Sequence, residues 1–344
     1  MTDFFNRPVF RVKDDTFTWR DIMLFTHRVG GWSEVLDGIA DGLAGVRHAE
    51  RLPEDEAEAL EEAVDSAAAE FRYDRELITA EETEAWLAER GVTATEWLAS
   101  VRREVARSQF ANLLPELRGD TPQPPRQEME EALRVDLSCT RLGQHLAERC
   151  AEQAAAAAVV GPPRMSSAPQ PASPLPAGLD LEHTHAQLPL IESIVERVDR
   201  FRESVVSEEA VVREVRQHKM EWVRLECLTV DFPDLAQAKE AALCIREDGL
   251  EFSDVAGSAH REVLETRFYV DDLQEDLQSV LLSAMPGDVI GPTSVGESHT
   301  LFQVLSKTLP ADSDPEVRAR AEARLFARAL GRAGREGTQW LVKW

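Results

Sequence analysis

Apolar and polar residues alternate through the stretch Trp222-Val-Arg-Leu-Glu-Cys-Leu-Thr-Val230, which opens the last third of the chain. Alternation with a period of two is typical of a strand that buries one face. The spacing then changes to a helical one over Leu235–Asp248, and Gly249 follows where a helix commonly ends. This succession predicts a small sheet covered by helices.

The elements that follow have the order of a small α+β domain. We predict a short helix at Glu251–Ala256, a strand-like stretch at Phe268–Val270 and a helix at Leu273–Ser283. Met285-Pro-Gly-Asp288 indicates a turn, and His299–Leu305 indicates a further strand. The order strand, helix, helix, strand, helix, strand predicts an α+β fold with little sheet.

The N-terminal part is predicted to be mostly helical. Thr79-Ala-Glu-Glu82 and Thr93-Ala-Thr-Glu96 are capping boxes, in which a threonine and a glutamate satisfy the first N–H groups of a helix. Gly91 stands between them as a helix C-cap. The pattern predicts a helical hairpin of Thr79–Arg90 and Thr93–Phe110. Its inward-facing core residues are expected to be Trp86, Leu87, Trp97, Leu98 and Val101.

Proline density sets the main boundary. Residues 154–180 combine polyalanine with six prolines, a composition that maintains neither a helix nor a sheet ladder. Five parts are therefore predicted along the chain. They are a helical region at 1–150, a flexible Ala/Pro-rich linker at 151–187, helices that pack with the helical region at 188–220, the α+β domain at 221–307, and a helix and strand at 308–344 that return to the helical region.

Charge and cysteine usage exclude several classes of partner. The chain has 344 residues with 38 Lys and Arg against 63 Asp and Glu, which gives a formal net charge of −25 at pH 7. A field of this sign repels phosphate backbones and anionic lipids, so we expect no nucleic-acid and no membrane partner. We find no apolar run of about 18 residues, and we expect no secretory signal. Four scattered cysteines without a C-x-x-C pair indicate a reducing compartment, so a cytoplasmic location is expected.

Five segments between residues 221 and 307 resemble, in chain order, the parvulin-type peptidyl-prolyl isomerase domain. They resemble its first strand, its first helix, the entry to its second helix, the later helix with its turn, and its closing strand. In this sequence they are Val223-Arg-Leu-Glu-Cys-Leu-Thr229, Ala238-Lys-Glu-Ala-Ala-Leu-Cys-Ile-Arg-Glu247, Gly249-Leu-Glu-Phe-Ser-Asp-Val-Ala256, Leu273 to Pro292, and Gly296-Glu-Ser-His-Thr-Leu-Phe302.

The resemblance extends to the rest of the chain. In SurA-like chaperones, helices before and after the isomerase domain combine into a peptide-binding module, and the helical parts of this chain resemble that arrangement. A narrower resemblance is to peptide maturation system proteins, which are encoded beside genes for ribosomally made, modified peptides. The partners implied are a peptide or unfolded protein and a peptide-modifying enzyme.

The parvulin resemblance implies a site of two histidines beside a hydrophobic cup for proline. His299 matches the second histidine, and Cys227 stands where the first is expected. The cup is implied at Leu273, Leu277, Leu282, Met285 and Phe302. Two interpretations stay open. In the first, the site binds extended peptides without turnover. In the second, a smaller polar centre made of Cys227 and His299 still isomerises proline. Packing alone also accounts for Cys227 as a small buried hydrophobe.

A basic stripe marks the last long helix, predicted at Asp314–Arg335. Its arginines recur every four residues and are Arg320, Arg324, Arg328 and Arg332. Such a stripe either pairs with nearby acids as a solvated face or docks an acidic leader peptide or a partner enzyme.

No metal or other cofactor is expected. His183-Thr-His185 with Asp180 and Glu182 offers metal-binding residue types, but it adjoins the predicted linker, and a solvated loop is the favoured interpretation. We find no phosphate-binding glycine loop, no G-x-S-x-G and no H-E-x-x-H in the sequence.

The sequence therefore predicts a mostly helical, chaperone-like protein with a small parvulin-like α+β domain. Its predicted role is to bind a peptide in extended form and present it to a maturation enzyme. Two alternatives stay open, an active peptidyl-prolyl cis–trans isomerase and a structural subunit of a biosynthetic complex.

Overall fold

The computed structural model describes residues 4–120, 124–161, 181–296 and 298–344. It is 66% helical and 14% strand, and its strands form two small antiparallel sheets. The mostly helical α+β class is therefore confirmed. Within the described ranges no helix is long and apolar enough to cross a membrane.

The first compact unit, called the helical unit, comprises residues 1–203 and 329–344. It begins with a 3-10 turn at Phe4–Asn6 and the strands β1 (Pro8–Val12) and β2 (Asp15–Thr18). Its helices are α1 (Trp19–Val29), α2 (Trp32–Ala49), α3 (Glu54–Asp74), α4 (Ala80–Arg90), α5 (Ala94–Gln109), α6 (Leu114–Asp120), α7 (Arg126–Cys139), α8 (Arg141–Val159) and α9 (Leu181–Val205), whose last residues enter the second unit.

The second compact unit, called the sheet unit, comprises residues 204–328. Its elements are α10 (Glu208–Gln217), β3 (Arg224–Phe232), α11 (Leu235–Arg246), α12 (Phe252–Ser258), β4 (Leu264–Tyr269), a 3-10 turn at Val270–Asp272, α13 (Glu275–Ser283), β5 (Val289–Val295) and β6 (Ser298–Thr308). The chain then continues through α14 (Pro315–Gly337) and ends with β7 (Thr338–Trp340).

The sheet of the helical unit joins the two ends of the chain. Its strand order is β2-β1-β7, and Phe10 of β1 stands opposite Trp340 of β7. The rings of Phe10 and Phe17 stack with centroids 4.7 Å apart. Pairing of β7 with β1 thus fixes the last strand to the N-terminal hairpin.

Both predicted capping boxes are confirmed in the helical hairpin of α4 and α5. The Glu82 amide donates to the Thr79 hydroxyl at 3.1 Å, and the Glu96 amide donates to the Thr93 hydroxyl at 3.2 Å. Gly91 ends α4 with a φ of +67°, a conformation that glycine adopts without strain.

The core of this hairpin contains most of the residues that were predicted to face inward. Leu87, Trp97 and Val101 are buried together, and Trp86 is half-buried against them. Leu98 is 41% exposed, which corrects the prediction for that residue. It follows Trp97 by one position, so its side chain is turned by about 100° around the helix axis.

Helices occupy both ends of the segment predicted as a linker at 151–187. Helix α8 extends to Val159 with Ala154–Ala157 buried, because alanine is the strongest helix former and packs closely. Helix α9 begins at Leu181 and contains Pro189 within it. The predicted linker is thus too long at both ends, and residues 162–180 lie outside the described residues.

The sheet of the sheet unit has the order β4-β3-β6-β5, with all neighbours antiparallel. Leu225 and Cys227 of β3 pack with residues of α13. Val230 and Phe232 pack with residues of α11 and α12. Because side chains alternate between faces along a strand, these two clusters lie on opposite faces of the sheet.

Candidate functional site

The residues of the predicted polar centre lie on opposite faces of this sheet. Cys227 stands opposite Val304, and His299 stands opposite Phe232, in the register of β3 with β6. Directly opposite residues share a face, and the face alternates along each strand. His299 therefore shares the face of Phe232, and Phe232 is five positions from Cys227 on β3. Because five is odd, Cys227 and His299 point to different faces, and they are roughly 16 Å apart along the strands. The structure does not bring them into one centre.

The surroundings of each residue agree with this separation. Cys227 is fully buried, and burial raises the pKa of its thiol to about 11. The thiol therefore stays protonated at neutral pH and packs as part of the core. His299 is half-buried, and its Nδ1 lies 3.3 Å from the Ser294 hydroxyl oxygen on β5.

The predicted proline cup is filled by the core of the sheet unit. Leu277 and Phe302 are buried in the cluster that contains Cys227, and Leu273 and Leu282 pack against it half-buried. Met285 is 70% exposed beyond the end of α13 and does not join them. The apolar residues pack against each other, so they form a core rather than an open cup.

Most of the basic stripe on α14 is engaged by acids of the sheet unit. Arg320 donates to Asp271 and Asp272, Arg324 donates to Glu221, and Arg328 binds Glu214 through both of its terminal nitrogens. Arg332 is exposed. For the first three arginines, this corrects the docking interpretation in favour of the paired face.

The histidines near the linker belong to a helix and not to a loop. His183 lies in α9, and its Nε2 is 3.3 Å from the Asp21 carboxylate of α1. Asp180 lies outside the described residues. In the part of the chain that the structure describes, no group of three or more metal-ligating side chains is close enough to hold an ion.

A cleft of about 500 Å³ lies in the helical unit and is called the α5 cleft. Residues of α2, α3, α5, α7 and α8 line it. The apolar part of its lining is Ile39, Ala67, Phe71, Trp97, Val101, Val105 and Leu142. The charged part is Glu70, Asp74, Glu104, Asp136, Arg75, Arg103, Arg107 and Arg141, four of each sign. The lining is therefore electroneutral in a chain whose net charge is −25.

Glycines of α2 bring that helix close to α5 at one wall of the cleft. A Cβ on Gly42 would lie 3.0 Å from Cβ of Arg103, and a Cβ on Gly45 would lie 3.2 Å from atoms of Ala106. Both distances are shorter than ordinary contacts, so only glycine fits without displacement of α5. Gly38, one turn earlier, lines the cleft together with Gly42.

A half-buried ion pair fixes α5 to α7. One carboxylate oxygen of Asp136 accepts from the Arg103 guanidinium at 2.6 Å and from the Ser100 hydroxyl at 2.8 Å. Hydrogen bonds between ionised groups are short and directional. The polar wall of the cleft is therefore held in one geometry.

Two buried donors of the lining have no acceptor among the described residues. They are Nε1 of Trp97, a side chain that is only 5% exposed, and Nε of Arg103. A buried donor without a partner costs about 1–3 kcal/mol. The volume of the α5 cleft, its apolar lining and its charges of both signs make it the candidate functional site.

Sequence reasoning missed this cleft because its residues come from five helices. Its charged residues do not stand out in a chain so rich in acids and arginines, and Trp97 was correctly predicted as buried. The one local signal is the spacing Gly38-x-x-x-Gly42-x-x-Gly45, which indicates a helix face that another helix approaches closely.

The sequence matches no protein-family model, and no curated protein is significantly similar to it.

Proposed function

We propose that this protein is a peptide-binding chaperone or adaptor whose α5 cleft holds an extended segment of its client. The α5 cleft is the observation that carries the proposal. Its lining combines apolar side chains, charges of both signs and buried donors without acceptors. Peptides present the matching groups, because they alternate side chains of varied chemistry with backbone carbonyl acceptors.

The length of the cleft suits a short stretch of peptide. Trp97 and Arg107 both line it, and they are ten residues apart on α5, which corresponds to about 15 Å of helix. An extended chain covers that distance with four or five residues. A longer client would keep its flanks outside the cleft.

The sheet unit supports the parvulin resemblance through the order of its elements. The succession β3, α11, α12, β4, α13, β5, β6 contains the strands and helices that the resemblance implies, in the implied order. A fold alone does not establish an activity. Since Cys227 faces Val304 and is separated from His299, we propose that this unit lacks prolyl isomerase activity.

The narrower role that we propose is presentation of a ribosomally made peptide to a modifying enzyme. It is supported by the resemblance of the sequence to peptide maturation system proteins. A cleft that covers four or five residues would also leave neighbouring residues of the peptide accessible to a second protein. The cytoplasm is the proposed location.

Peptide binding to the full chain tests the proposal. The probes are hexapeptides of mixed sequence that carry an uncharged coumarin label, and the readout is fluorescence anisotropy. Ala67→Trp fills the cleft from α3, so we expect it to weaken binding at least tenfold, because an indole ring occupies much of the volume. Ala59→Trp places the same ring on the exposed face of α3 and is the matched control.

Thermal unfolding followed by circular dichroism verifies that both variants fold. If Ala67→Trp does not fold, Glu104→Trp blocks the cleft from an exposed lining position. Peptide affinities that are unchanged by a folded cleft-filling variant, or the absence of binding to the wild-type chain, would overturn the proposal.

A further inference from the structure

Arg75 is held against aromatic rings at the end of α3. Its guanidinium carbon lies 3.9 Å from the centroid of the Phe71 ring and 5.7 Å from that of Trp86. Stacking of this kind fixes the plane of the guanidinium group, which offers two parallel N–H groups to a carboxylate. Both Arg75 and Phe71 line the α5 cleft.

This guanidinium group forms no ion pair with a described carboxylate, although the charges of Asp74 and Glu104 act on it from nearby. One of its nitrogens donates to the Phe71 carbonyl at 3.3 Å, and no described carboxylate oxygen lies within 4.0 Å of it. Asp74, the adjacent acid, pairs with Arg141 at 3.4 Å. Burial lowers the pKa of the Arg75 guanidinium, which indicates that the cation is partly removed from water.

A second donor without an acceptor lies close to Arg75. Nε1 of Trp97 is buried and lacks an acceptor, and the Trp97 and Phe71 rings are in contact, with centroids 5.1 Å apart. A cation that is partly removed from water and a buried N–H donor are therefore both close to one aromatic ring. Both groups are complementary to an anion that carries acceptor oxygens.

We infer that the α5 cleft recognises a carboxylate group of its peptide ligand through Arg75, an inference that rests on the proposed function. The carboxylate comes from an Asp or Glu side chain or from the C-terminus of the peptide. Arg75 supplies the bidentate contact, and Phe71 orients it. The other charged residues of the lining contribute little to recognition of the carboxylate, because their charges balance to within one unit.

Three labelled hexapeptides distinguish the sources of the carboxylate. The first has neutral side chains and a free C-terminus, the second is amidated and carries one central Glu, and the third is amidated with Gln in place of that Glu. We expect at least one of the first two to bind about tenfold more tightly than the third, the usual effect of a charge-assisted hydrogen bond. Which of them does so identifies the source.

Variants assign the preference to Arg75. Arg75→Gln is expected to abolish the tenfold difference between the carboxylate-bearing peptides and the third peptide. Arg75→Lys keeps the charge without the planar pair of donors, so it should retain only part of the difference. Arg126→Gln removes an exposed arginine of the same unit outside the cleft, and it should retain the whole difference. If Arg75→Gln does not fold, Phe71→Leu tests the same site by removing the stacking ring.

The outcomes separate this inference from the proposed function. Equal affinities of all three peptides would overturn the carboxylate site while peptide binding stands. The same holds if folded Arg75→Gln weakens all three equally, or if Phe71→Leu retains the full preference. Absence of binding by every peptide would overturn the proposed function itself.

Discussion

Cys227 and His299 belong to the neighbouring strands β3 and β6, yet His299 pairs with Phe232, which is five residues further along β3 than Cys227. Prolyl isomerisation requires that one site stabilise a twisted amide against a barrier of about 18–20 kcal/mol. Polar groups on two faces of a sheet do not act on the same amide. The residue opposite Cys227 on its own face is Val304, which offers no polar group to such a site.

We therefore expect no prolyl isomerase activity from the wild-type chain. The measurement is cis–trans exchange of an Ala-Pro tetrapeptide by NMR, with an active parvulin as the positive control. The exchange rate should equal the uncatalysed rate in the wild type and in His299→Ala. Acceleration by the wild type that disappears in His299→Ala would contradict this expectation and favour the isomerase alternative.

The thiol of Cys227 gives the stability of the fold a dependence on alkaline pH. Burial raises its pKa from an ordinary value of 9.0 to about 11, so the folded chain favours the protonated thiol. The corresponding stabilisation is complete below pH 9 and is lost as the pH rises through the folded pKa. Urea unfolding of wild type and Cys227→Ala should show a steeper fall for the wild type in this pH range.

The comparison of slopes isolates this one group. The substitution itself lowers stability by a constant amount through the small cavity that it leaves. Other groups that titrate in this range, including Cys139 with a pKa of about 12, are present in both proteins and cancel. Parallel curves for the two proteins would show that Cys227 does not titrate as its burial implies.

At the scale of elements, the parts predicted best are those with local start and stop chemistry. The boxes at Thr79 and Thr93 and the C-cap at Gly91 define α4 and α5 because every interaction involved lies within a few residues. Strand β5 was not predicted, since Gly291 and Pro292 interrupt its alternation, and its identity as a strand depends on pairing with β6.

The arginines of α14 illustrate the same limit. Their spacing is visible in the sequence, but the acids that engage them come from other elements of the sheet unit. Glu214 of α10 is only 3% exposed, and both of its carboxylate oxygens accept from Arg328, at 3.0 and 2.8 Å. A basic stripe that looks available for a partner is therefore used mainly within the fold.

Arg328→Gln should lower the free energy of unfolding by about 1–3 kcal/mol, because it leaves the buried Glu214 carboxylate with weaker partners. Urea denaturation monitored by circular dichroism measures the change. Arg332→Gln is the matched control, since it removes an exposed arginine one turn later on the same helix. It should change stability by less than about 0.5 kcal/mol. Equal effects of the two substitutions would argue against a structural role for the stripe.

At the scale of the whole molecule, a strongly acidic chain contains a cleft whose lining is electrically neutral. Composition predicted the overall field and the classes of partner that it disfavours. The α5 cleft was not predictable in this way, because five helices separated by up to a hundred residues supply its lining, and only tertiary packing places Arg75, Trp97 and Arg103 around one space. The negative field of the whole chain should therefore affect the association of a peptide, whereas the lining of the α5 cleft should affect its dissociation.

Salt should reveal that division in the kinetics of peptide binding. The acidic field acts over distances comparable to the Debye length, about 10 Å at 0.1 M salt, and chiefly changes association rates. When ionic strength rises from about 0.03 M to about 0.3 M, association should slow for an amidated hexapeptide with a central Lys and accelerate for one with a central Glu. Stopped-flow anisotropy measures both rates.

If the source of the carboxylate is a side chain, Arg75→Gln should speed dissociation of the Glu peptide and leave the salt dependence of its association unchanged, because Arg75 acts only once the peptide is in the cleft. Association rates that do not respond to salt for either peptide would show that the net charge of the chain does not reach the α5 cleft.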